Sequence, residues 1–65
     1  MTDLELELNE LRDRFGSTRL ISLAQAAKYV GKDPRTLLSD RTFPVKANGK
    51  RYEVSVIRLA RWITQ

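Results

Sequence analysis

Two hydrophobic periods alternate along the chain, and each marks a different kind of element. Over residues 2–15, Leu4, Leu8, Leu11 and Phe15 are spaced four, three and four apart, which puts them on one narrow stripe of a helix. Leu6 points roughly the other way. Thr2 and Glu5 have the spacing of a capping box, and the early acids suit the positive end of the helix dipole. Arg12 and Arg14 lie near its negative end. Gly16-Ser17-Thr18 then breaks the pattern.

The stretch ISLAQAAKYVGKDPRTLLSDR, residues 21–41, predicts two short helices joined by a tight turn. Ser22 and Gln25 form a second capping box, after which Leu23, Ala26, Ala27 and Val30 follow i, i+3, i+4, i+7 spacing. Gly31 ends this helix, because it takes the left-handed conformation without steric cost. Asp33 caps the next helix and Pro34 fills its first position, where a missing N–H is harmless. Leu37 and Leu38 are expected to face inward, leaving Arg35, Thr36, Ser39 and Arg41 outside. Helices so joined are the pattern of a helix-turn-helix.

Beyond Arg41 the period falls to two. In TFPVKANGKRYEV, residues 42–54, Asn48-Gly49 separates two alternating arms and predicts a hairpin with a type I′ turn. A two-residue loop at 48–49 sets Val45 opposite Tyr52, Phe43 opposite Val54 and Lys46 opposite Arg51. The last pair is unfavourable on a free hairpin, but beside a phosphate backbone it becomes a clamp. Ser55 is placed to cap a final helix, with Val56, Leu59, Ala60 and Ile63 on one face and Trp62 beside it. Arg58 and Arg61 fall on its outer side.

The chain thus predicts helix, helix-turn-helix, two-stranded hairpin, helix. The expected fold is mainly α with a two-stranded β-hairpin, a winged helix-turn-helix. Residues 1–16 form an amphipathic acidic helix and residues 17–65 the main domain. The expected core is Leu20, Leu23, Ala27, Val30, Leu37, Leu38, Phe43, Val45, Tyr52, Val54, Leu59, Trp62 and Ile63. Two uses are open to the Leu4–Leu8–Leu11–Phe15 stripe. It can pack on this core, or it can form a self-association or partner seam, since a coiled-coil edge has the same spacing.

Charge sharpens the picture. The first sixteen residues carry five acids against Arg12 and Arg14; the remaining forty-nine carry ten basic residues against Asp33, Asp40 and Glu53. A basic body with an acidic appendix suits a polyanion partner for the body. There is no Cys and no His, so thiolate metal sites and the commonest general base are absent. Carboxylates at catalytic spacing and a phosphate-cradling Gly-rich loop are missing too. An enzyme is not expected, nor a cofactor. With no apolar run of membrane-spanning length, a cytoplasmic, nucleoid-associated protein is the expectation.

From about Leu20 to Ile63 the sequence resembles the small winged-helix excisionase and MerR-type DNA-binding domains of phages and mobile elements. The segments carrying the likeness are LISLAQAAKYVGKDPRTL, FPVKANGKRYEV and VIRLARWI, with Ala26-Ala27, Gly31, Pro34 and Phe43-Pro44 at the family's characteristic places. LRDRFGSTRLISL also looks like the start of phage regulators of the Cox and pyocin-activator kind. The resemblance implies base reading by Arg35, Thr36 and Ser39 in the major groove. It also implies a wing, with Lys46, Asn48, Lys50 and Arg51, on the minor groove or phosphates. Lys32 and Arg41 are further candidates for phosphate contacts. Double-stranded DNA is the implied partner, with homo-oligomers forming on it and a tyrosine or serine integrase as a protein partner. The task implied is excision, transcriptional regulation or both. The alternative is a protein-interaction module, an anti-repressor or adaptor, acting through the N-terminal helix. Asp40, near the end of a short second helix, is the departure from a uniformly basic recognition face.

Overall fold

The structure, a computed structural model, describes residues 2–65. Its elements run α1 (Asp3–Phe15), β1 (Leu20–Ser22), α2 (Leu23–Val30), α3 (Pro34–Ser39), β2 (Val45–Asn48), β3 (Arg51–Ser55) and α4 (Val56–Thr64). The strands form one antiparallel sheet in the order β1-β3-β2. The hairpin is therefore part of a three-stranded sheet, and the fold is mixed α/β rather than mainly α with a two-stranded hairpin. This arrangement is compatible with a small winged-helix domain.

Local chemistry sets the helix boundaries. Thr2 and Ser22 each complete a capping box, with Glu5 and Gln25 as reciprocal acceptors, satisfying donors that a helix start leaves orphaned. Gly31, at φ 75° and ψ 28°, closes α2 in the left-handed conformation, and its N–H donates to the Ala27 carbonyl at 2.9 Å. The Asp33 carboxylate caps α3 by accepting from the Arg35 N–H at 2.8 Å. Ser55 caps α4 through the Arg58 N–H.

The buried core comprises Leu11, Ile21, Leu23, Ala26, Ala27, Leu37, Phe43, Val54, Val56, Leu59 and Ala60. Three expected members are exposed instead: Leu20, Leu38 and Tyr52 are 51, 40 and 45 % exposed. Each has a geometric reason. β1 turns Ile21 inward against Val54, so its neighbour Leu20 must face the other side of the sheet. In a six-residue helix that buries Leu37, the next residue is rotated by about 100° and leaves the interface. Tyr52 shares the sheet face of Val54, but it pairs with Ala47 toward the hairpin tip. Val30, Val45, Trp62 and Ile63 pack partly buried around the rim.

The N-terminal stripe packs on the chain's own core. α1 lies against α4, Leu11 is wholly inaccessible, and Leu4, Leu8 and Phe15 are partly buried against the same cluster. These four residues therefore do not form a free self-association seam. On α2, the Tyr29 hydroxyl donates to the Glu7 carboxylate at 3.0 Å, its ring lies 5.8 Å from that of Phe15, and the Arg14 guanidinium sits 5.6 Å from its centre. Burial, then the hydrogen bond to Glu7 and the charges of Glu7 and Glu10, outweigh Arg14 and push the Tyr29 hydroxyl up to about 12.

Candidate nucleic-acid interface

The nine residues selected from the sequence are all exposed. Arg35, Thr36 and Ser39 project from α3, which buried Leu37 pins to the core. Lys32 lies in the turn before α3 and Arg41 in the turn after it, so five of the nine fall within residues 32–41. Ser39 donates its hydroxyl to the Thr36 carbonyl at 2.9 Å. In that rotamer it meets a ligand as an acceptor only.

Asp40 has a local structural role. Its carboxylate accepts from both the N–H and the hydroxyl of Thr42, at 2.9 and 2.7 Å, closing the turn that ends α3. The Thr42 hydroxyl in turn accepts from the Trp62 indole N–H at 3.0 Å. Trp62 packs edge-on against Phe43, with ring centres 5.1 Å apart at 88°, and the Lys32 ammonium sits 5.7 Å from its centre. Hydrogen bonds from the Thr42 side chain and backbone hold the Asp40 carboxyl below the usual carboxylate range, and the charge of Lys32 adds to them. α4 is thereby linked to both turns flanking α3. Thr42, Trp62 and the structural use of Asp40 were not among the sequence candidates; the Asp-x-Thr spacing of residues 40–42 was the available signal.

The hairpin has a different register from the one expected. Val45 pairs with Val54, Lys46 with Glu53, Ala47 with Tyr52 and Asn48 with Arg51. The loop is Gly49-Lys50, with φ 64° at Gly49 and no positive φ at any non-glycine residue described. Positive φ at the first loop position alone fits a type II′ turn rather than type I′. Asn48 therefore stays in the strand, while Phe43 joins the turn, donating its N–H to the Asp40 carbonyl. The Lys46–Arg51 clamp does not form. Lys46 faces an acid across the ladder, and that acid, Glu53, accepts from the Asn48 side-chain amide at 3.0 Å. Lys50 and Arg51 remain as the cations of the tip.

Comparison with protein-family models, curated proteins and solved structures returns no match for this chain. Among the described residues, no group of His, Cys, Asp and Glu is arranged to hold a metal ion, and no helix is long and apolar enough to cross a membrane.

Proposed function

We propose that this chain is a double-stranded DNA-binding domain of the winged helix-turn-helix type. α3 is its recognition helix and the 45–55 hairpin its wing. The observation that carries the proposal is the run Lys32–Arg35–Thr36–Ser39–Arg41, which clusters exposed donors and cations on a short helix capped at its start and tied at both ends to Trp62 and Thr42. Arg35 suits a bidentate contact to guanine, worth about 1–3 kcal/mol of discrimination. Lys32 and Arg41 are placed for phosphates on either side. Lys50 and Arg51 give the wing its charge, and Lys46, offset by Glu53, contributes less.

A six-residue recognition helix reaches few base edges, so useful specificity calls for several copies on adjacent sites. That requirement, with the family resemblance, supports excision of a mobile element or transcriptional regulation, with an integrase as a partner in the first case. A titration of random duplexes at low and physiological salt, with stoichiometry recorded, tests the proposal. Stepwise complexes on an enriched sequence support it. Absence of binding at either salt removes it and leaves the protein-interaction alternative.

A further inference from the structure

Arg58 and Arg61 stand exposed on α4, three positions apart, a spacing that sets their stems about 5–6 Å from each other. With Thr42, Pro44, Trp62 and Gln65 they line a hollow of about 210 Å³ between α4 and the turn that follows α3. Like charges one turn apart on a helix repel, and nothing in the chain offsets this pair. No acidic side chain lines the hollow, and among the described residues no acid pairs with either guanidinium. The two acids around Trp62 are engaged elsewhere. The Asp40 carboxylate accepts from Thr42, and Glu7, on the other side of the indole, accepts from the Tyr29 hydroxyl. Two further cations adjoin the same ring: the Lys32 ammonium lies 5.7 Å from its centre, and Arg41 directly precedes Thr42.

We infer that the Arg58–Arg61 pair binds a backbone phosphate of the DNA duplex, beyond the base pairs that α3 reads. This inference rests on the DNA-binding proposal and extends its contact surface to the last helix. A guanidinium offers a fork of donors that matches phosphate oxygens, and two such forks flank one small hollow. Continuity with α3 selects a DNA strand as the source of the phosphate. Thr42 belongs both to the turn that ends α3 and to the wall of the hollow, so a strand held by Arg41 continues onto α4. Phosphate contacts position a protein without reading sequence. The pair therefore fixes how the short α3 sits in the groove and adds affinity, and it leaves base preference to Arg35, Thr36 and Ser39. The carboxylates of an acidic protein are the competing occupant, and the experiment separates the two.

Duplex binding is measured across a range of salt for the wild type and for Arg58→Gln with Arg61→Gln. A control, Arg12→Gln with Arg19→Gln, removes the same charge from exposed positions that do not line the hollow. Thermal melts confirm that each variant folds. The α4 variant is expected to lose about 0.9 from the slope of log affinity against log salt, one phosphate's worth, with its ranking of sequences unchanged. The control is expected to keep the wild-type slope, and Arg58→Lys with Arg61→Lys to recover most of it. Single uncharged methylphosphonates are then placed along the duplex that the wild type prefers. One position flanking the base-read pairs should weaken the wild type and leave the α4 variant unaffected. A wild type that binds no duplex removes the DNA-binding proposal and this inference with it. A wild type that binds, with an α4 variant of unchanged slope, overturns this inference alone and leaves the pair to an acidic protein. An equal loss in the control, or no methylphosphonate position that distinguishes the variant, overturns it as well.

Discussion

The indole N–H of Trp62 donates to the hydroxyl of Thr42 across 3.0 Å, and that hydroxyl donates onward to Asp40 at 2.7 Å. One threonine thus joins the last helix to the turn that ends α3. Thr42→Val keeps the shape but removes both bonds and leaves the indole without its acceptor. We expect a loss of about 1–2 kcal/mol in denaturant unfolding and weaker DNA binding, with Thr42→Ser restoring most of both. A variant as stable as wild type would show that the chain of bonds is incidental.

The recognition-helix proposal separates base reading from phosphate attraction. Arg35→Ala should cost about 1–3 kcal/mol on the preferred sequence and relax the preference at one or two base pairs. Lys50→Ala with Arg51→Ala should weaken binding to all sequences alike and flatten the salt dependence, by about 0.9 in slope for each phosphate no longer neutralised. Lys46→Ala should do less than either tip substitution, because Glu53 already faces it. A larger loss from Lys46 than from Lys50 would contradict this placement of the wing.

Trp62 is the only tryptophan, and the Lys32 ammonium lies over its ring. Engagement of Lys32 by a phosphate should draw the cation away and change the indole emission on DNA titration. Lys32→Gln should abolish most of that change while leaving the free protein folded. An emission change of wild-type size in Lys32→Gln would place the phosphate elsewhere.

The Tyr29 hydroxyl is raised in the folded state to about 12 from an ordinary 10. A group whose folded value is raised contributes its full stability below the unfolded value and loses it as pH climbs through the folded one. Stability should therefore decline between about pH 10 and 12, as tyrosinate forms beside Glu7 and Glu10. Tyr29→Phe should flatten that decline relative to wild type. Paired unfolding curves from neutral to alkaline pH measure the difference, and parallel curves would remove Tyr29 as its source.

Leu11 is wholly buried. Leu11→Ala should cost about 2–5 kcal/mol, the range for a leucine truncated to leave a cavity. Native domains hold only about 0.05–0.15 kcal/mol per residue, so this variant should melt far below wild type or be unfolded at room temperature. A shift of only a degree or two would mean that α1 is dispensable to the core.

Much of this fold was legible in short-range chemistry. Capping boxes at Thr2 and Ser22, the Asp33-Pro34 start and Gly31 depend on residues a few positions apart, and the structure has each where the sequence puts it. What was not legible depends on partners distant in sequence. β1 is three residues long, too short to show a period, and exists because Ile21 pairs with Val54. Sliding the hairpin by two residues leaves the same side chains on each face, so alternation could not distinguish the registers; the turn at Gly49 decided. The same slide dissolved the Lys46–Arg51 clamp while leaving Lys50 and Arg51 at the tip. For α3, the exposed Arg35, Thr36 and Ser39 followed from reading Leu37 and Leu38 as inward, of which Leu37 alone is buried; the supporting bond from Trp62 to Thr42 spans twenty residues and left only the Asp-x-Thr trace.

The packing of the first helix on the last makes completion of this fold a long-range event. Phe15 and Val56 are separated by about forty residues, and each doubling of such a loop adds about 0.6 kcal/mol to the cost of closing it; α1 meets α4 only once it closes. Until then α2, α3 and the hairpin are short local pieces, none long enough to persist in isolation. Folding speed should accordingly be set by this distant encounter rather than by helix formation. The acidic helix, which contributes none of the exposed cations of α3 or the hairpin, then governs what fraction of the time those cations are held in a usable arrangement.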